Sequence, residues 1–136
     1  MISIVLDTNV LVASILKPHG EYSQALSLIL ANLDKFQIVV SSQVRDEYAE
    51  VLSRRFITLR GLSRVATSLL EIIDDIAIEV VPKSLAYLAF PDVDDKPFVE
   101  LATYTNSIII TNNISDFPFA DLKVLRAGEF LKLFDK

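Results

Sequence analysis

Asp7 stands directly behind an apolar run, Ile2–Leu6, and is followed by Thr8 and Asn9. A lone carboxylate at the edge of a buried strand is costly unless a partner or cation compensates it. Helix capping is the plainer role for such an aspartate, but Thr8 and Asn9 already supply capping side chains. Glu47 follows a second apolar run and shares its helical face with Val44 and Val51. Its neighbours Asp46 and Glu50 fall on other faces, so Glu47 is the acid expected to point along the sheet edge. Asp92, Asp94 and Asp95 put three acids into four residues, more than one helix cap and its dipole require. Asp116 lies behind a third run, in Thr111-Asn112-Asn113-Ile114-Ser115-Asp116, where an ordinary turn is the alternative role. Four such carboxylates within ~5 Å would repel by roughly 3 kcal/mol per pair at an effective dielectric near 20, which calls for a cation. The chain has no cysteine and one histidine, His19, so the site would be all-oxygen and would select Mg²⁺ or Mn²⁺ over zinc. Such an ion suits phosphodiester hydrolysis, where it activates water and neutralises the scissile phosphate.

The elements that must position these acids follow from periodicity. Ile2–Leu6 is predicted as a first strand, buried on both faces. A short helix from Asn9 stops near Pro18-His19-Gly20. Tyr22, Ala25, Leu26, Ile29 and Leu33 then have the spacing of an amphipathic helix. Phe36–Val40 is a second strand, and Ser41 or Ser42 caps a helix through Val44, Tyr48, Val51 and Leu52. Ser63 is predicted to cap a helix through Val65, Leu69, Ile72 and Ile73, followed by a third strand over residues 76–81. A helical turn is expected over 85–90, and a helix after Asp94-Asp95 with Pro97 in its first turn and Phe98, Leu101 and Ala102 inward. Residues 107–111 and 122–125 complete the strands, and 129–134 form a last helix. This alternation predicts one three-layer α/β domain over residues 1–136, a mainly parallel sheet of four to five strands flanked by helices. In such sheets functional groups collect at the carboxyl ends of strands. Lys17 and His19, behind the first helix, would lie on that same edge.

These residues, in this order, resemble a PIN domain, the ribonuclease fold of VapC-type toxins in bacterial and archaeal toxin–antitoxin pairs. Leu6-Asp7-Thr8-Asn9-Val10-Leu11 is similar to the family's first motif, and Glu47-Tyr48 with Val51-Leu52 to its second. Within Asp92-Val93-Asp94-Asp95-Lys96-Pro97-Phe98 the family aspartate maps onto Asp95, since Asp94 is one residue out of step. Thr111-Asn112-Asn113 with Asp116-Phe117 is similar to the last motif. Many members carry an acid where this chain has Asn113, so Asp116 would be the fourth carboxylate. The resemblance runs from Ile2 to about Phe134. It implies a Mg²⁺- or Mn²⁺-dependent endoribonuclease, often a homodimer, inhibited by a small cognate antitoxin. Asp7, Glu47, Asp95 and Asp116 would be its catalytic metal ligands. Thr8, Asn9, Asp94, Thr111 and Asn113 would orient those acids or hold metal-bound water.

The net charge of −5 does not suit a non-specific nucleic-acid coat. It is unevenly distributed, however: Arg54, Arg55, Arg60 and Arg64 fall in a stretch without an acid. They are candidate contacts to RNA phosphates, with a solvated helix face as the alternative. Leu11, Leu16, Leu26 and Leu30 are candidates for a dimer face, while Tyr22, Tyr48 and Phe98 are expected in the core. Hydrophobic residues make up 51% of the chain, which excludes disorder. No leader or membrane span is legible, because Asp7 interrupts the opening apolar run, so a soluble cytoplasmic protein is expected. A haloacid-dehalogenase-like phosphatase needs a second aspartate where Asn9 stands, and a receiver domain needs one where Pro82 follows Val81. The remaining alternative is a PIN-like module that binds RNA or a protein without cutting, and Asn113 favours it.

Overall fold

The computed structural model describes residues 1–85, 93–119 and 121–135. β1 (Ile2–Leu6) lies at the centre, because its residues bury side chains toward both faces. It pairs in parallel with β2 (Phe36–Val40) on one side, Ile4 opposite Ile38, and with β4 (Ile108–Ile110) on the other, Ile4 opposite Ile108. β3 (Ile78–Glu79) flanks β2 and β5 (Lys123–Leu125) flanks β4, giving the all-parallel order β3-β2-β1-β4-β5. The chain moves outward from β1 to β3, then returns across β1 to β4 and β5. Right-handed crossovers therefore place the helices of the two legs on opposite faces, making three layers.

Between β1 and β2 run α1 (Thr8–Leu16) and α2 (Glu21–Ala31). Between β2 and β3 run α3 (Ser42–Leu52), α4 (Arg55–Leu59) and α5 (Ser63–Ile76). A 3-10 turn, Val93–Asp95, leads into α6 (Lys96–Thr105), and α7 (Ala127–Phe134) follows β5. Ser41 caps α3 as expected, its hydroxyl accepting from the Val44 N–H at 3.2 Å. α6 buries Phe98, Leu101 and Ala102 and ends at Asn106, which adopts the left-handed conformation at φ 52° that stops a helix. Phe36 packs against Phe130 and Phe134 of α7, with ring centroids 5.4 and 5.3 Å apart.

Several expectations are corrected. α2 ends at Ala31, so Leu33 lies beyond it and is exposed. Leu62, not Ser63, occupies the cap position of α5, and α4 is a helix that periodicity did not announce. Val65 and Ile72 are exposed, while Ala66, Leu69 and Ile73 form the buried stripe of α5. Residues 76–81 split between the end of α5, the two-residue β3 and a loop, because β3 is an exposed edge strand. Leu11 is fully buried beneath the sheet edge and is unavailable to a dimer face. The helical turn expected over 85–90, and Asp92, fall largely outside the described residues. Leu85 itself is buried, its N–H donating to the buried carboxylate of Glu100 at 2.6 Å. Among the described residues no helix is long and apolar enough to cross a membrane.

Candidate active site

Strand order reverses at β1, so its carboxyl end and that of β4 border the crevice where open α/β sheets bind ligands. Asp7 follows β1 and Thr111 follows β4, and the Asp7 N–H donates to the Ile110 carbonyl at 3.0 Å. Asp7 takes the N-cap position of α1, yet its side chain caps nothing. Instead Oδ2 accepts from Thr111 Oγ1 at 2.7 Å and from Asn9 Nδ2 at 2.9 Å. The same two residues hold the loop beyond β4: the Asn112 N–H donates to Asn9 Oδ1 at 3.3 Å, and the Asn113 N–H to Thr111 Oγ1 at 3.1 Å.

Glu47 lies half-buried on α3, and Thr8 Oγ1 donates to its Oε2. That bond removes the reading of Glu47 as a solvated helix residue. Asp95 takes the N-cap position of α6 and, like Asp7, makes no side-chain cap bond. Asp94 beside it is exposed. Asp116 closes a second 3-10 turn, Ile114–Asp116, and is half-buried. Asn113 points elsewhere, its Oδ1 accepting from Ser115 Oγ at 2.7 Å.

Burial pushes the Asp7 carboxyl above the usual carboxylate range, and the charge of Asp116 adds to this. The Thr111 hydroxyl, the Thr8 backbone N–H and the Asn9 amide pull the other way. Burial also raises Glu47, against the Thr8 hydrogen bond, and the charges of Asp7 and Asp94 raise it further. Asp7 thus feels the charge of Asp116, and Glu47 feels those of Asp7 and Asp94. Among the described residues no three acids form a ready-made metal cage.

The four arginines do not share one role. The charge of Arg54 is felt by Glu47, and its guanidinium is forked onto Glu50 at 3.1 and 2.8 Å. Arg60 donates to the Phe56 carbonyl at 3.0 Å, and Arg55 is exposed at the start of α4. Arg64 rims an apolar groove between α2 and α5, lined by Ile15, Leu26, Leu30, Val65 and Ile72. Lys17 and His19 are exposed at the far end of α1, which leads away from the acids, and His19 lies near Asp135. The two tyrosines expected in the core do more than pack. Tyr48 OH donates to the Leu6 carbonyl, and Tyr22 OH to the Thr111 carbonyl at 3.3 Å. Only adjacency to Glu47 could have singled out Tyr48 in the sequence, since a backbone carbonyl acceptor leaves no residue signature.

The family model described as PIN domain matches residues 3–115. Among solved structures, the fold is similar to VapBC2 from Rickettsia felis bound to a DNA fragment from their promoter, at 20% identity and a TM-score of 0.63, covering 92% of this chain and 98% of that one. It is also similar to VapBC-1 from nontypeable Haemophilus influenzae, at 16% identity and a TM-score of 0.65, covering 93% and 99%. DNA-bound VapBC from Salmonella typhimurium gives 14% identity and a TM-score of 0.63, covering 93% and 99%. No curated protein matches the sequence.

Proposed function

Since the chain belongs to the PIN domain family, we propose that it is a Mg²⁺- or Mn²⁺-dependent endoribonuclease, the cytoplasmic toxin of a toxin–antitoxin pair. The observation that carries this reading is that Asp7, buried behind the central strand at the crevice, is held by Thr111 and Asn9 and lends its charge to the half-buried Glu47 of α3. The donor set fits a hard divalent cation in kind, because carboxylate, hydroxyl and amide oxygens are all that is present. The like charge felt at Asp7 and Glu47 is what a cation would relieve.

Asp7, Glu47, Asp95 and Asp116 would hold the ion, with Asp94 beside Glu47. When bound, it supplies charge neutralisation at the phosphate and lowers the pKa of water. Thr111 and Asn9 fix the Asp7 carboxylate, so its orientation is set before substrate arrives. Thr8 does the same for Glu47 Oε2, leaving Oε1 to accept the proton of the attacking water. Its raised proton affinity suits that task. Arg54 flanks Glu47 and would meet an RNA phosphate.

The antitoxin is proposed to lay an apolar segment in the groove of ≈ 550 Å³ between α2 and α5. Val65 and Ile72 are exposed there, and the similar folds in the VapBC structures support a partner. A homodimer belongs to the same reading, and sedimentation of the isolated chain tests it.

The test of the whole is cleavage of a mixed structured and single-stranded RNA pool with Mn²⁺, Mg²⁺ or EDTA, beside Asp7→Asn. Metal-dependent cutting lost in the variant supports the nuclease. If RNA is bound but never cut under any metal, the non-cleaving module takes its place.

A further inference from the structure

We propose that Tyr48 is a positioning residue that fixes the distance between the acids, acting through the Leu6 carbonyl and the ring of Phe98. The inference rests on the reading of the acids as a cation site. Asp7 and Glu47 lie on different elements, so something must hold β1 against α3 at the crevice. The pairing of β1 with β2 runs from Ile2 opposite Phe36 to Ile4 opposite Ile38, two residues short of Leu6. Beyond it, the fully buried Tyr48 donates its hydroxyl to the Leu6 carbonyl. That bond joins the residue before Asp7 to the residue after Glu47. A buried carbonyl must be paired, so the phenol fixes where the strand end lies relative to the helix. The ring meets the third acid-bearing element as well. Its centroid is 6.4 Å from that of Phe98, three residues beyond Asp95 on α6. One side chain thus touches the elements that carry Asp7, Glu47 and Asp95, while facing none of the solvent that a substrate would approach through. Thr8 and Glu47 add a second bond between the start of α1 and α3, but that bond involves the acid itself and would rearrange once a cation arrives. The Tyr48 bond involves no acid and persists in either state.

Tyr48→Phe keeps the ring on Phe98 and removes only the hydroxyl. The experiment is calorimetric titration of Mn²⁺ into the full chain, without RNA, for the unaltered protein, Tyr48→Phe and Ile73→Val. Ile73 is buried on α5, which carries none of the four acids, so Ile73→Val lowers stability without removing the Tyr48 hydroxyl. We expect Tyr48→Phe to bind Mn²⁺ roughly 10–100-fold more weakly, as loss of a ligand-orienting group does. Ile73→Val should match the unaltered chain. Where RNA cutting is measured, Tyr48→Phe should lower kcat and leave KM unchanged. Unchanged Mn²⁺ affinity in Tyr48→Phe overturns the inference and leaves the nuclease reading intact. Equal weakening in Ile73→Val also overturns it, because the effect would then be general loss of stability. If the unaltered chain takes up no Mn²⁺, the cation-site reading fails and this inference with it.

Discussion

Asp7 is held by two hydrogen-bond donors on one oxygen and by like charge from Asp116, and these pull its proton affinity in opposite directions. Burial decides the balance, and the net shift is upward. Glu47 is shifted the same way. Between the unfolded carboxylate value of about 4 and the raised native values, the folded chain therefore binds more protons than the unfolded one. Stability is then fully favoured below that window, falls as pH rises through it, and stays lower above it. Asp7→Asn keeps an oxygen for Thr111 and Asn9 but removes the charge. It should raise Tm by a few degrees at neutral pH and flatten the decline, which urea midpoints from about pH 4 to about pH 8 would read. Cleavage should fall by more than the 10–100-fold typical of losing an orienting group. A variant that is stabler and still cuts would detach Asp7 from the chemistry. Thr111→Val tests the orienting role: it removes the donor to Asp7 and the acceptor for the Asn113 N–H. The expected result is a roughly 10–100-fold loss in kcat, with faster hydrogen exchange at Asn113.

At the scale of elements, the parts that were legible are those whose pattern has one physical cause. β1 and β2 run with the bounds read from their apolar stretches, and α3 starts at its serine cap. The positions of Asp7 behind β1 and of the Asp116 loop behind β4 were legible for the same reason, since strand ends fix both. α5 misled because its apolar residues serve two surfaces: Ala66, Leu69 and Ile73 face the core, while Val65 and Ile72 line the groove. Its spacing alone cannot separate the two. β3 misled because one apolar run is divided between a helix end and an exposed edge strand. The left-handed end of α6 was also invisible, since an asparagine in a polar turn has many roles. Asn106→Gly should leave stability unchanged or slightly higher, because glycine adopts positive φ freely. Asn106→Val should cost roughly 1–2 kcal/mol in urea unfolding, because a side chain branched at Cβ resists that conformation. Equal stabilities would mean that α6 does not depend on this turn to end.

Viewed as a whole, the molecule is acidic, with a net charge of −5, and Asp7 and Glu47 add acids behind β1 and β2. A polyanion is not drawn to such a surface from a distance, so on the proposed reading capture of RNA rests on local cations near the acids. Arg54 is so placed: Glu47 feels its charge, and its partner Glu50 holds it by an exposed pair one helical turn away. Exposed pairs of this kind are weak and screened by salt, so a phosphate can displace Glu50. Arg64, on the rim of the apolar groove, faces a different surface. The two should therefore separate in one experiment, run in the Asp7→Asn background so that bound RNA persists. Binding of a labelled single-stranded RNA is followed by anisotropy across a KCl series. Each phosphate contact contributes about 0.7 to the slope of log affinity against log salt. Arg54→Gln should lower the slope by about that amount, and Arg64→Gln should leave it unchanged. If both variants lower it equally, RNA runs across the α5 face as well, and the groove cannot be reserved for a protein partner. If neither does, Arg54 and Arg64 return to a solvated role, and the proposed RNA contacts must be sought at other cations of the chain.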